Sequence, residues 1–196
     1  MFVNSIDAVR RLVPLLATLH LPAHALHSQL QQKQRLHSLE KFKSSSKAIL
    51  IATDIAARGL DIPHVQHVVH YHLPRTSDTY IHRSGRTARG TDVGISLLLC
   101  APEETKPLRV MLAKLGKSQF LGRMLDTFPV DRILVGRVKG RVELAQKIVK
   151  AGREVQRRGF EEKWLAEAAE DLGVDSDEID EVINSKGYLL SLIELI

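Results

Sequence analysis

Residues 80–90 read Tyr-Ile-His-Arg-Ser-Gly-Arg-Thr-Ala-Arg-Gly, so His82, Arg83, Arg86 and Arg89 fall within eight positions that hold no acid. Guanidinium groups are planar, permanently charged forks, and phosphate oxygens match them in shape and sign. On a helix, spacing by threes would set neighbouring guanidiniums on adjoining parts of one side. A solvated basic face is the alternative use of such a run. Upstream, Thr53, Asp54, Arg58, Gly59 and Asp61 gather a hydroxyl, two carboxylates, a guanidinium and a glycine into nine positions. Gly59 permits close backbone approach to a ligand. Taken singly, Asp54 also reads as a helix cap and Gly59 as a turn.

These clusters need a scaffold, and the pattern supplies one. Met1–Asn4 reads as a strand, and Asp7–His20 as a helix through Val9, Leu12, Val13, Leu16 and Leu19, stopped by Pro22. Ala23–His27 is a second strand. Gln32–Phe42 is a polar helix with Leu36, Leu39 and Phe42 facing inward. After the turn at Ser44-Ser45-Ser46, Ala48–Ala52 is continuously apolar, as in a strand covered on both faces. His67–Tyr71 and Ile95–Leu99 are further strands, separated by a helix starting near Asp78, and Glu103–Leu115 is a helix closed by Gly116. Strand and helix in alternation predict a three-layer α/β domain with a parallel sheet and right-handed crossovers. In such a sheet ligands bind beyond the carboxyl ends of the strands, where Thr53-Asp54 would be delivered.

The remainder predicts a mostly helical extension, which divides the chain into 1–116 and 117–196. A helix runs from about Asp131 or Val138 to Arg157, a second covers Glu161–Leu172, and an Asp175/Glu178 capping box opens a last one ending at Gly187. Residues 137–158 hold eight basic and two acidic side chains, whereas 159–196 hold eleven acidic and two basic. Lys147, Lys150, Arg153 and Arg157 share one side of the basic helix, opposite Leu144, Ile148 and Val155. That side suits RNA phosphates, and the helix suits packing on the preceding domain equally. The acidic end could fold back on the basic helix or bind a basic partner. Trp164 reads as a helix-packing residue.

The whole chain of 196 residues carries 28 Lys+Arg against 23 Asp+Glu, a balance that accommodates a polyanion without requiring one. A lone cysteine, Cys100, excludes an internal disulfide and fits a reducing compartment. No apolar run reaches the ~20 residues a membrane span requires, so no membrane role is expected. His64, His67, His70 and His72 lack a carboxylate or thiol at ligand spacing, and no metal site is expected.

Together the clusters carry a resemblance. Residues 52–63, Ala-Thr-Asp-Ile-Ala-Ala-Arg-Gly-Leu-Asp-Ile-Pro, resemble motif V of the DEAD-box RNA helicases, and His82–Gly90 resembles their motif VI. Phe2-Val3-Asn4-Ser5 is similar to motif IV, and Gln32 with Arg35 matches the Gln-x-x-Arg motif. Order and spacing fit over residues 1–116. The resemblance implies a RecA-like second lobe with Arg86 and Arg89 as arginine fingers toward the γ-phosphate of ATP and Asp61 at the nucleotide ribose. His82 would couple the lobes and Arg83 would stabilise their closed arrangement. Asn4, Gln32, Arg35, Thr53 and Gly59 would hold the RNA backbone, with Lys147, Lys150 and Arg153 as accessory contacts.

The chain contains no Gly-x-x-x-x-Gly-Lys-Ser/Thr loop and no Asp-Glu-Ala-Asp, the parts that would cradle phosphates and hold Mg2+. Those are expected on a first lobe, so this lobe is expected not to hydrolyse ATP by itself. The rival expectation is a non-hydrolysing RNA clamp or assembly scaffold. The Arg141–Ala145 and Trp164-Leu165 elements resemble the DEAD-box subgroup acting in large ribosomal subunit assembly. That resemblance implies pre-ribosomal RNA and assembly proteins as partners, and a nuclear, nucleolar location.

Overall fold

The computed structural model describes residues 1–57, 65–88, 93–115 and 128–172. Five strands, β1 (Phe2–Val3), β2 (Ala23–Leu26), β3 (Ile49–Thr53), β4 (His67–His70) and β5 (Ile95–Leu98), form one sheet in the order β2-β3-β1-β4-β5. Every pairing is parallel, with Val3 opposite Thr53 and Phe2 opposite both Ala52 and His70. This is the parallel α/β architecture expected, with β3 one residue later than read from the apolar run.

Alternation along the strands divides the core between the two faces. On one, Phe2, Leu26, Leu50, Ala52 and Val68 pack with Leu39 and Phe42 of α2 (Gln32–Lys43) and with Ala56 and Ala57 of α3 (Asp54–Ala57). On the other, Val3 and Ile51 meet Ala8, Val9 and Leu12 of α1 (Ile6–Thr18). A third cluster, Leu108, Met111 and Leu112 of α5 (Thr105–Lys114), packs with Leu98, Leu73 and Tyr80 of α4 (Ser77–Ser84).

Several boundaries differ from expectation for local reasons. Helix α1 opens at Ser5, whose hydroxyl accepts from the Ala8 amide. It ends before Pro22, in a left-handed turn at His20 (φ 60°) closed by His20 N–H to Ala17 O and Leu21 N–H to Leu16 O. Leu36 of α2 is half exposed and does not face inward.

The two tail helices expected to meet near residues 158–160 are one helix, α6 (Arg132–Leu172). Residues 173–187, including the Asp175 capping box, lie outside the described residues. The chain separates into two compact units, Met1–Ala145 and Gln146–Ile196, a division inside α6 and beyond the boundary read at 116. Leu144, Ile148 and Val155 of α6 are exposed, and Trp164, at 59 % exposure, is not packed as expected.

Candidate functional site

Three neighbouring strands end beside one another: β1 leads to Asn4, β3 to Asp54, and β4 to Tyr71–Leu73. Into this row α4 inserts Arg83, 1 % exposed. Its Nε donates to Asp54 Oδ1 at 2.7 Å and Nη2 to Oδ2 at 2.8 Å. Nη2 also donates to Asn4 Oδ1 at 2.7 Å, and Nη1 to the His72 carbonyl at 2.9 Å. The guanidinium lies 5.4 Å from the centroid of the Phe2 ring. Burying a cation is tolerable here because one carboxylate neutralises it and four N–H groups find acceptors.

Asn4 is the other half of this node. Its amide nitrogen donates to the Leu73 carbonyl at 3.0 Å, and its backbone N–H donates to His72 Nδ1 at 3.1 Å. Acceptance at Nδ1 requires an unprotonated ring nitrogen, and the His72 pKa is lowered, first by burial and then by Arg11. Among the described residues, the polar contacts of Arg83 are with Asp54, Asn4 and the His72 carbonyl, inside this lobe. The acid that pairs it, Asp54, is read from the sequence as part of the upstream cluster at the ligand edge or as a cap, not as a partner of Arg83.

Arg83 and Arg86 do not share a helical side. Helix α4 runs Ser77–Ser84 and is capped at Gly85, so Arg83 lies within it and Arg86 in the turn beyond. Arg86 is half-buried and His82 exposed, and both line an open cleft with Phe2, Asp54, Ala57, Thr79 and Arg83. The turn continues through Thr87, whose buried hydroxyl donates to the Val65 and Gln66 carbonyls, to Ala88 in the left-handed region (φ 54°). Gly94 passes directly across it. A Cβ there would sit 2.7 Å from the Ala88 nitrogen and 2.9 Å from Thr87 Cβ, a space only glycine fits.

Beneath α4, His70 of β4 is fully buried. Its Nε2 lies 3.1 Å from Ser96 Oγ and 3.3 Å from Ser84 Oγ, and the two hydroxyls are 3.1 Å apart. The ring stacks on Tyr80 with centroids 5.2 Å apart. Burial pushes its pKa down to about 4, assisted by Arg83 and the Met1 amine and opposed by Asp54. The Met1 amine donates to the Leu50 carbonyl at 2.8 Å, and burial, then Arg83, lowers its pKa to about 5.

Three comparisons bear on this arrangement. A family model described as the helicase conserved C-terminal domain matches residues 1–91. The solved C-terminal domain of the DEAD-box protein Dbp5 is 30 % identical with a TM-score of 0.53, the match covering 59 % of this chain and 68 % of that one. The chain belongs to the DEAD-box RNA helicases. A second solved DEAD-box structure, Mss116p helicase domain 2 bound to an RNA duplex, gives a TM-score of 0.58 at 27 % identity, over 74 % of this chain and 55 % of that one. The ATP-dependent RNA helicase MAK5 of Gibberella zeae is 51 % identical over 187 residues. That match takes in 92 % of this chain and 24 % of the relative, so the chain spans about a quarter of its length.

Within this DEAD-box second lobe, Asn4, Thr53, Asp54, His82, Arg83 and Arg86 gather at or beside the strand tips. Arg35 lies on α2, where its Nη2 donates to the Ala56 carbonyl at 3.3 Å, and Gln32 is exposed at the start of that helix. Gly59, Asp61 and Arg89 lie outside the described residues. Lys147, Lys150 and Arg153 are exposed on α6. No group of three or more His, Cys, Asp or Glu among the described residues could hold a metal ion, and no described helix is long and apolar enough to cross a membrane. Sequence reasoning missed His70, Ser84, Ser96 and Gly94. Ser84 lies inside the arginine cluster and Gly94 shortly after it, and His70 is weighed in the sequence only as a metal ligand.

Proposed function

We propose that this lobe completes the ATP site and the RNA groove of an ATP-dependent RNA helicase whose first lobe supplies the phosphate loop and the carboxylates for Mg2+. The observation that carries the reading is the division of labour in the arginine cluster. Arg83 is withdrawn into a buried node, and Arg86, one turn later, lines an open cleft with His82 beside Asp54. Phosphoryl transfer depends on positioning and on stabilising charge over the transferring oxygens, and a guanidinium so held is worth roughly 10³–10⁵ in rate. Arg86 and Arg89 serve as the fingers, Asp61 binds the ribose, and His82 couples the lobes. Thr53, Gly59, Gln32, Arg35 and Asn4 line the RNA path. Asn4 does so with its Oδ1 already committed to Arg83, which suits a positioning part. Contacts to sugar and phosphate leave the groove tolerant of sequence.

The exposed basic side of α6 supports an accessory RNA contact through Lys147, Lys150 and Arg153. The match to the MAK5 helicase takes in most of α6 as well as the lobe. With the tail's resemblance to the assembly subgroup, this supports pre-ribosomal RNA as substrate, assembly proteins as partners and a nucleolar location. The test is Arg86→Ala in the full-length, two-lobed protein. RNA-stimulated ATP turnover should fall about 10³-fold or more with RNA affinity retained. Turnover unchanged by that substitution would sink the reading in favour of an RNA clamp.

A further inference from the structure

We infer that His70, Ser84 and Ser96 form a positioning node that fixes where the end of α4 delivers Arg86. The inference rests on Arg86 being the finger proposed above.

The turn holding Arg86 hangs from a short helix, so its position depends on how that helix is anchored. Helix α4 has eight residues, too few for a stable helix in isolation. Its underside meets β4 and β5 through polar contacts. Ser84, its last residue, reaches His70 Nε2 and Ser96 Oγ, which lie on neighbouring strands offset in register, Ser96 pairing with Val68 and His70 with Leu98. One turn earlier, Tyr80 stacks on the same imidazole. Helix, β4 and β5 are thus joined at three polar atoms whose mutual separations are 3.1–3.3 Å. Hydrogen bonds are directional, so the triangle fixes rotation as well as height, which apolar packing alone does not.

The electrostatics keep the imidazole neutral. Burial and then Arg83 oppose a proton on His70, and together they outweigh Asp54, which favours it. His70 Nδ1 is buried and has no hydrogen-bond partner among the described residues. From Ser84 the chain runs through Gly85 directly to Arg86, whose N–H donates to the Arg83 carbonyl, while Thr87 N–H donates to that of Ser84. A shift of the Ser84 end would carry the finger with it, and misplacement by about 1 Å can cost about a hundredfold in rate.

The test measures RNA-stimulated ATP turnover of Ser84→Ala in the full-length protein, well below its melting temperature. We expect kcat to fall roughly tenfold to a hundredfold, with the KM for ATP unchanged. Ser84→Thr, which restores the hydroxyl, should recover most of the loss. Placed in an Arg86→Lys background, Ser84→Ala should cost a factor of about three or less, because the node acts through Arg86. Equal losses in both backgrounds, or a lower melting temperature with kcat intact, would overturn the node. Arg86→Ala separates the two ideas. Lost turnover there with full turnover in Ser84→Ala defeats the node alone, whereas full turnover in Arg86→Ala defeats the finger reading and the node together.

Discussion

Arg83 and Lys150 carry the same unit charge, and each faces a carboxylate. Arg83 is 1 % exposed and grips Asp54 at 2.7 Å, whereas Lys150 is 81 % exposed and stands 3.9 Å from Glu154. The first pair is held by strand tips that also supply Asn4 and the His72 carbonyl. The second is held by one turn of helix and is surrounded by water. Geometry, not charge count, decides which cations shape the domain and which are available to a polyanion.

Replacing Arg83 should do the most damage. Arg83→Met leaves Asp54 and Asn4 without their donor, and with Asp54 30 % exposed the loss should sit at the lower end of the about 3–5 kcal/mol that breaking a buried pair costs. Denaturant melts of this chain should register it, and a change below about 1 kcal/mol would erase the contrast with α6. The pH dependence is next. His70 has its pKa lowered from 6.5 to about 4 in the fold, so the unfolded chain takes up the proton first as pH falls. Its share of stability is complete above pH 6.5, is lost progressively between 6.5 and 4, and amounts to about 3 kcal/mol. In melts across that range, His70→Asn should flatten the slope between pH 6.5 and 4, and an unaltered slope would place the acid sensitivity elsewhere. Gly94→Ala should cost roughly 1–3 kcal/mol through the forced shift of Thr87 and Ala88, and no loss would mean that the crossing relaxes freely. The smallest effect belongs to α6. Lys150→Ala should alter stability by about 0.5 kcal/mol or less, while charge reversal at Lys147, Lys150 and Arg153 should weaken RNA binding and flatten its salt dependence. Unchanged binding across a salt titration would remove the helix from the RNA path.

The order of strands and helices could be read from the sequence because β3 is a continuous apolar run and α1 a clean amphipathic pattern, both local signals. The same scale hid the heart of the site. The stretch from His82 to Arg89 holds no acid, and the partner of Arg83, Asp54, lies 29 positions upstream in a different cluster. His70 looked like one of several strand histidines, since burial under α4 is a tertiary fact. Helix α6 is one element where the sequence reads two, with the break between Arg157 and Glu161, a gap that contains Gly159. A Cβ at Gly159 would meet no obstacle, as at Gly152 within the first expected helix, and Arg157 with Glu161 joins the turns across the supposed gap. Helix propensity penalises such glycines by only about 1 kcal/mol each, too little to end a long helix.

The contacts of Arg83 reach 11, 29 and 79 residues along the chain, to His72, Asp54 and Asn4. Such contacts cannot form until three distant stretches have already come together, each with its own loop-closure entropy. While the lobe is still assembling, that guanidinium stays hydrated. It leaves water only when β1, β3 and β4 are side by side, which makes it a latch set late in folding and felt mainly as slow unfolding.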